Sequence, residues 1–142
     1  MKIKTNFSGV IKPKTIVDGP DGTLTVLESS SDFPFKINRI YYINNFKDET
    51  SVRGKHAHKE LWQAITCISG SFRLVLDDGK IKQEIVLKKD SNYFILLGPG
   101  LWHEMTNTTK DCVILVVASD IYQESDYIRS YDDFLDWHKK NK

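Results

Sequence analysis

The sequence has few cysteines, no long apolar segment and no excess of charge of either sign. Its two cysteines, Cys67 and Cys112, both lie inside apolar runs, which favours buried thiols in a reducing compartment over a disulfide. The 20 lysines and arginines are balanced by 19 aspartates and glutamates, so bulk charge gives no indication of a nucleic acid partner. No apolar stretch suits a signal peptide or the ~20 residues that a transmembrane helix needs. These absences predict a cytoplasmic protein that binds neither nucleic acid nor a membrane.

The length and the turn pattern indicate a single all-β domain. A chain of 142 residues falls within the usual domain size of ~100–200 residues. No linker or repeat divides it, so we expect one domain over residues 1–142. Short segments rich in alternating apolar residues predict strands, at residues 23–28, 36–43, 61–68, 72–76, 82–87, 93–97 and 104–107. Many short strands joined by turns are typical of an antiparallel sandwich or barrel.

Three local signals add detail to this pattern. The turn Asp77-Asp78-Gly79-Lys80 between two alternating segments predicts a hairpin. Residues 112–118 are continuously apolar, which predicts a strand in the middle of a sheet with both faces covered. Residues 131–139 have helical periodicity, with Ser130 as a possible N-cap. Acidic residues in the first turn and lysines at the end suit the helix dipole, so we expect a short C-terminal helix.

Two histidines lie two residues apart, a spacing that suggests a functional site. His56 and His58 belong to the segment Arg53-Gly54-Lys55-His56-Ala57-His58. Because side chains alternate along a strand, both imidazoles project to the same face. A pair of adjacent imidazoles can bind a metal ion or transfer protons. Two of only four histidines fall at this spacing, which favours a site over a chance surface pair.

A second segment, Pro99-Gly100-Leu101-Trp102-His103-Glu104-Met105-Thr106-Asn107, completes a resemblance to the cupin superfamily. The first cupin motif has a glycine, His-x-His and a later glycine, and Gly54, the two histidines and Gly70 match it. The second motif is matched by Pro99-Gly100, His103 and Asn107. The resemblance implies a single-domain, jelly-roll type antiparallel β-barrel, followed here by the short C-terminal helix.

The position at which a metal-dependent cupin places a glutamate is occupied by Gln63. A carboxylate is a good ligand for a divalent ion, whereas a neutral amide is a poor one. We therefore expect no metal and no organic cofactor, with the histidines acting as acid–base groups. The alternative is a metal-dependent cupin in which His56, His58 and His103 are the ligands.

A narrower resemblance, from about residue 22 onward, is to the dTDP-sugar 3,4-ketoisomerases. It is carried by segments 34–43, 53–59, 70–79, 102–105 and 115–119, together with Tyr122 and Asp126-Tyr127-Ile128-Arg129. The family implies isomerisation of dTDP-4-keto-6-deoxyglucose to a 3-keto sugar, which supplies 3-amino-3,6-dideoxy sugars for surface glycans. It also implies a homodimer. One departure is Asp21-Gly22, where the family has Arg-Gly.

The candidate residues suit this chemistry. The proton on carbon 3 is acidic because a ketone stands at carbon 4, and histidine can remove it near neutral pH. We assign His56 as that base and His58 to moving protons between the two oxygens. Tyr41 is expected to act as an acid or to hold the sugar, and Tyr42 takes its place if the alternation slips by one. The expected substrate-binding residues are Arg39 and Arg53 at the diphosphate and Gln63, His103 and Trp102 along the pocket.

The sequence also permits three other functions and favours a homodimeric assembly. Besides the metal-dependent enzyme, the pattern permits a non-catalytic nucleotide-sugar-binding cupin or a 3,5-epimerase acting on the same nucleotide sugar. Open edge strands favour a homodimer. Residues 1–10 are a plausible strand for pairing or exchange between two copies.

Overall fold

The chain folds into two five-stranded antiparallel sheets that face one another, with a two-stranded hairpin beside them. The computed structural model describes residues 1–29 and 33–142. The strands are β1 Ser8–Ile11, β2 Lys14–Val17, β3 Thr23–Val26, β4 Arg39–Ile43, β5 Arg53–His58, β6 Gln63–Ser69, β7 Ser71–Asp77, β8 Lys82–Lys88, β9 Phe94–Leu97, β10 Trp102–Thr106, β11 Val113–Ala118 and β12 Tyr127–Ile128. Helix α1 spans Tyr131–Lys140, and two 3-10 turns span Gly19–Asp21 and Glu124–Asp126.

The first sheet has the order β1-β9-β6-β11-β4 and the second the order β12-β5-β10-β7-β8. The main core lies between them and is built from inward side chains such as Ile65, Leu74, Ile114 and Met105. The all-β jelly-roll prediction is confirmed. The expected barrel takes the form of a sandwich, because over the described residues the strands hydrogen-bond as two separate ladders and do not close into one.

The first sheet is covered on both faces along β11, one of its interior strands. On β11, Ile114 and Val116 face the main core, whereas Val117 joins a second apolar cluster on the outer face with Phe33 and Phe94. β11 lies between β6 and β4, so the expectation of a central strand with both faces covered is confirmed.

The predicted hairpin and helix are also present. β7 and β8 pair in register up to the turn, where Asp78 Oδ1 accepts hydrogen bonds from the backbone N–H groups of Lys80 and Ile81. Ser130 caps α1 by accepting a hydrogen bond from the backbone N–H of Asp133 at 3.3 Å. Phe134 on α1 packs with Trp102 on the outer face of sheet 2.

Ser8–Ile11 pairs with β9 of the same chain and forms one edge of the first sheet. The pairing or exchange of residues 1–10 between two copies stays a prediction. β2 and β3 pair only with each other among the residues that the structure describes. No helix in the described part of the chain has the length and apolarity to cross a bilayer.

We predict that Gly70→Ala destabilises the protein much more than Gly19→Ala. Both glycines have positive φ, 65° and 51°, which costs a residue with a Cβ about 1–2 kcal/mol. A Cβ at Gly19 meets open space, whereas one at Gly70 would lie 2.9 Å from the Cα of Cys112. Urea unfolding followed by tryptophan fluorescence measures both free energies, and equal losses would contradict the steric argument.

Candidate active site

Three histidines from two neighbouring strands of sheet 2 meet between the sheets. His56 and His58 lie on β5, and His103 on β10 is the register partner of His56. The ring centroid of His56 lies 4.9 Å from that of His58 and 4.6 Å from that of His103. The spacing of the two β5 histidines therefore places them on one face, as the strand period predicts, and pairing adds the third ring.

Each imidazole is held through its Nδ1 atom. His56 Nδ1 lies 3.1 Å from the carbonyl oxygen of Gly54, and His103 Nδ1 lies 3.3 Å from that of Leu101. His58 Nδ1 lies 2.9 Å from Oδ2 of Asp126. Since these oxygens only accept, Nδ1 carries the proton in every ring, and in the neutral ring Nε2 carries the lone pair.

Burial keeps the three rings neutral. It lowers the pKa of His56 to about 4, with the neighbouring His58 acting in the same direction. Burial also lowers the pKa of His58, against the opposing effect of the Asp126 carboxylate. His103 has its pKa well below the usual value, again because of burial and of the two other rings. At neutral pH the cluster therefore offers lone pairs that can accept protons or bind a metal ion.

The histidines also satisfy the geometric requirement of a metal site. One nitrogen of each ring lies within 4.8 Å of the corresponding nitrogens of the other two. The three residues His56, His58 and His103 can thus supply three ligands, as the alternative prediction requires. Gln63, at the position of the usual carboxylate, uses its amide Nε2 to donate to the Tyr41 hydroxyl at 2.8 Å.

Tyr41 and Arg39 face the same space from β4 of sheet 1. Tyr41 points inward, whereas Tyr42 is 65% exposed. Tyr41 is therefore the one of the two tyrosines that faces the histidines. Burial raises the pKa of Tyr41 to about 12, although the nearby Arg39 charge opposes this. Tyr41 is therefore a neutral phenol, which can donate a hydrogen bond.

Three buried polar atoms of the site have no hydrogen-bond partner among residues 1–29 and 33–142. They are Arg39 Nε, His58 Nε2 and Gln63 Oε1. Buried polar atoms are nearly always paired, so these three mark where a ligand would complete the site.

Arg53 and Trp102 lie outside the histidine cluster. Arg53 lies exposed at the start of β5, where its charge still acts on His56 and Tyr41. Trp102 does not line the histidine cluster, and its assignment as a substrate-binding residue stays a prediction. Alternation along β10 turns it to the opposite face from His103, where its ring packs against Tyr131 and Phe134 of the C-terminal helix.

Two residues near the histidines were not predicted as site residues. Tyr127 pairs with His58 across β12 and β5, and its ring centroid lies 4.5 Å from that of His58 and 5.0 Å from that of His56. Asp126 immediately precedes it. Both belong to the Asp-Tyr-Ile-Arg segment that carries part of the family resemblance, but no spacing rule connects that segment to β5.

The comparisons with known proteins agree with one another. The family model FdtA, described as WxcM-like, C-terminal, matches residues 8–139. TDP-4-oxo-6-deoxy-alpha-D-glucose-3,4-oxoisomerase of Aneurinibacillus thermoaerophilus is 48% identical over 125 residues, 88% of each chain. TDP and dTDP both denote thymidine diphosphate.

Two solved structures are similar over nearly the whole chain. A mutant of the 3,4-ketoisomerase QdtA from Thermoanaerobacterium thermosaccharolyticum, in complex with TDP-4-keto-6-deoxyglucose, has a TM-score of 0.90 and 39% identity, and the match covers 96% of this chain and 97% of that one. A 3,4-ketoisomerase from Helicobacter canadensis has a TM-score of 0.88 and 38% identity, covering 96% and 99% of the two chains.

Proposed function

The chain belongs to the FdtA (WxcM-like, C-terminal) family, and we infer that it is a sugar 3,4-ketoisomerase, an intramolecular oxidoreductase acting on dTDP-4-keto-6-deoxyglucose. The 48% identity to an isomerase of that specificity supports the reaction. The observation that carries the mechanism is the convergence of neutral imidazoles between the two sheets. The product is a dTDP-3-keto-6-deoxyhexose, formed through an enediol.

The reaction needs two proton transfers and no external oxidant. One proton leaves carbon 3 and a proton is added to carbon 4, while a second proton passes from the oxygen on carbon 3 to the oxygen on carbon 4. His56, whose pKa of about 4 keeps it neutral at pH 7, is the base at carbon 3. His58, with Nε2 buried at 3% side-chain exposure, moves the proton between the oxygens.

Groups on both sheets bind the sugar and its diphosphate. The Tyr41 hydroxyl accepts from Gln63 Nε2, so its O–H group is free to donate a hydrogen bond to the oxygen on carbon 4, where negative charge develops. Gln63 Oε1 accepts from a sugar hydroxyl, and His103 lines the pocket. Arg39 and the exposed Arg53 bind phosphate oxygens, since a guanidinium pairs with them through parallel hydrogen bonds.

The metal-dependent alternative retains the three histidine ligands but lacks the carboxylate. Gln63 is neutral, and its amide nitrogen is already bonded to Tyr41. We therefore propose that the enzyme works without a metal ion. Its products feed the synthesis of 3-amino-3,6-dideoxy sugars for surface glycans, and its buried thiols Cys67 and Cys112 suit the reducing cytoplasm.

His56→Asn should abolish isomerisation while leaving binding of the nucleotide sugar largely intact. Acid–base catalysis contributes about 10²–10⁴-fold, and a base that starts the reaction should lie at the upper end. Incubation with dTDP-4-keto-6-deoxyglucose in D₂O, followed by proton NMR, reports deuterium at carbon 3. His138→Asn, a change in the histidine outside the site, is the matched control. If His56→Asn still exchanged the carbon 3 proton at the wild-type rate, His56 would not be the base, and His58 or Tyr41 would be.

Activity should survive prolonged dialysis against a strong chelator, because the proposed acid–base groups belong to the protein. Elemental analysis before and after dialysis gives the metal content, and the isomerisation rate is measured on the same samples. If chelation abolished isomerisation and zinc, iron or manganese restored it, the metal-dependent cupin would be supported. Binding of the nucleotide sugar without carbon 3 exchange by the wild-type protein would instead support a non-catalytic binding cupin.

We also propose that two copies form a homodimer through the β2–β3 hairpin. An isolated two-stranded hairpin is marginally stable in water, yet this one exposes Ile16, Val17 and Leu24. The outer edge strand β4 likewise exposes Ile40 and Tyr42. Contact between these apolar surfaces of two copies would cover both and remove an open sheet edge.

Light scattering at micromolar concentration should give about twice the chain mass of 16.4 kDa. Leu24→Lys should shift the protein towards the monomer, because burying a lysine in the apolar contact is unfavourable. Val86→Lys is the matched control, since Val86 is a 57% exposed strand residue on β8, away from the hairpin. A wild-type mass of one chain would count against the dimer.

A further inference from the structure

Asp126 is fixed between the backbone and an active-site histidine. Its Oδ2 accepts from Nδ1 of His58 at 2.9 Å, and its Oδ1 accepts from the backbone N–H of Glu60 at 2.8 Å. The two side chains are shielded from water, with exposures of 15% for Asp126 and 3% for His58. Rotation of the carboxylate would break one of these bonds, so its orientation towards the imidazole is set.

The backbone around the pair reinforces this arrangement. The carbonyl oxygen of Asp126 accepts from the backbone N–H of Lys59 at 2.9 Å, and Tyr127 pairs with His58 in the β12–β5 ladder. The segments that carry the two side chains are therefore joined by a backbone hydrogen bond and by strand pairing. The contact results from the fold and does not depend on a mobile surface side chain.

The three imidazoles differ in what holds them. His56 and His103 donate to neutral backbone carbonyls at 3.1 and 3.3 Å, whereas His58 donates to a carboxylate at 2.9 Å. A hydrogen bond to an ionised acceptor is about twice as strong as one between neutral groups. A carboxylate also stabilises an imidazolium, which a carbonyl does less well.

We propose that Asp126 is a positioning residue for the isomerisation, which fixes His58 in the Nδ1–H tautomer and stabilises the imidazolium formed while His58 transfers a proton between the sugar oxygens. Loss of the carbon 3 proton leaves an enediolate, with negative charge on the oxygen of carbon 4 and a proton still on the oxygen of carbon 3. His58 Nε2 takes that proton and passes it to the oxygen on carbon 4, so His58 ends in its starting state. Carbon 3 becomes the ketone when carbon 4 is then protonated. The inference rests on the proposed function.

Asp126→Asn tests this role because the second hydrogen bond determines how the amide lies. The backbone N–H of Glu60 needs an acceptor, so the amide oxygen of the new side chain stays on Glu60. Its NH₂ group then faces Nδ1 of His58 and requires an acceptor there. The imidazole changes to the Nε2–H tautomer, which cannot take a proton from the sugar.

Product formation by Asp126→Asn should fall about 10²–10⁴-fold in kcat, with KM changed by less than about threefold. Solvent exchange at carbon 3, which His56 performs, should continue near the wild-type rate. The matched control is Asp120→Asn, which removes a carboxylate of the same loop that bonds to Ile121 and Gln123 and should leave both rates unchanged. Wild-type product formation by Asp126→Asn, or an equal fall in both rates, would overturn the proposal.

Nitrogen-15 NMR of the histidine rings gives a readout that a merely structural role would not change. Wild-type His58 should show a protonated Nδ1 and an unprotonated Nε2, and Asp126→Asn should reverse them. The wild-type spectrum alone overturns the proposal if Nε2 carries the proton, even if the variant fails to fold. If the wild-type protein does not isomerise the sugar, the proposed function fails, while the spectra still report whether Asp126 fixes the tautomer.

Discussion

The active site depends on the burial of three imidazole rings, which is favourable only while each ring is neutral and its N–H group has an acceptor. In each ring that acceptor is a fixed oxygen near Nδ1, from Gly54, Leu101 or Asp126. The requirement for a stable interior therefore also decides the chemistry. It leaves the lone pairs on Nε2 and lowers the pKa values, so the rings are ready to accept protons at neutral pH.

The backbone of β5 adapts to bring the rings together. Gly54 and Lys55 have positive φ values of 84° and 57°, and the pairing register of β10 shifts between His103 and Glu104. A Cβ at Gly54 would lie 2.8 Å from the carbonyl oxygen of His103. This close approach is tolerated only by glycine, and the same residue supplies the carbonyl that holds His56. Glycine is thus needed at position 54 for steric reasons, and its carbonyl oxygen also accepts the hydrogen bond that holds His56.

Periodicity predicted much of the fold and part of the site, but not its remote members. The two-residue repeat correctly placed His56 and His58 together, and it placed β3, β4 and β6 to β11 within a few residues but missed β2 and β12. The structure turns Tyr41 inward. The same repeat turns Trp102 away from His103, because consecutive residues of β10 face opposite sides of the sheet, so these two predicted pocket residues do not share a face. Asp126 reaches His58 from 68 residues away, after an irregular loop and through a two-residue strand. Such a contact follows from topology, which no local pattern encodes.

Three buried atoms without a hydrogen-bond partner in the described part of the chain specify what the pocket accepts. Arg39 Nε needs an acceptor, whereas His58 Nε2 and Gln63 Oε1 need donors, and a buried polar group without a partner costs about 1–3 kcal/mol. A metal ion could satisfy the last two atoms but not the guanidinium, whose positive charge it would repel. A keto sugar joined to a diphosphate brings hydroxyl donors and anionic acceptors together. The mixed polarity of these three atoms therefore fits the nucleotide sugar better than it fits a cation.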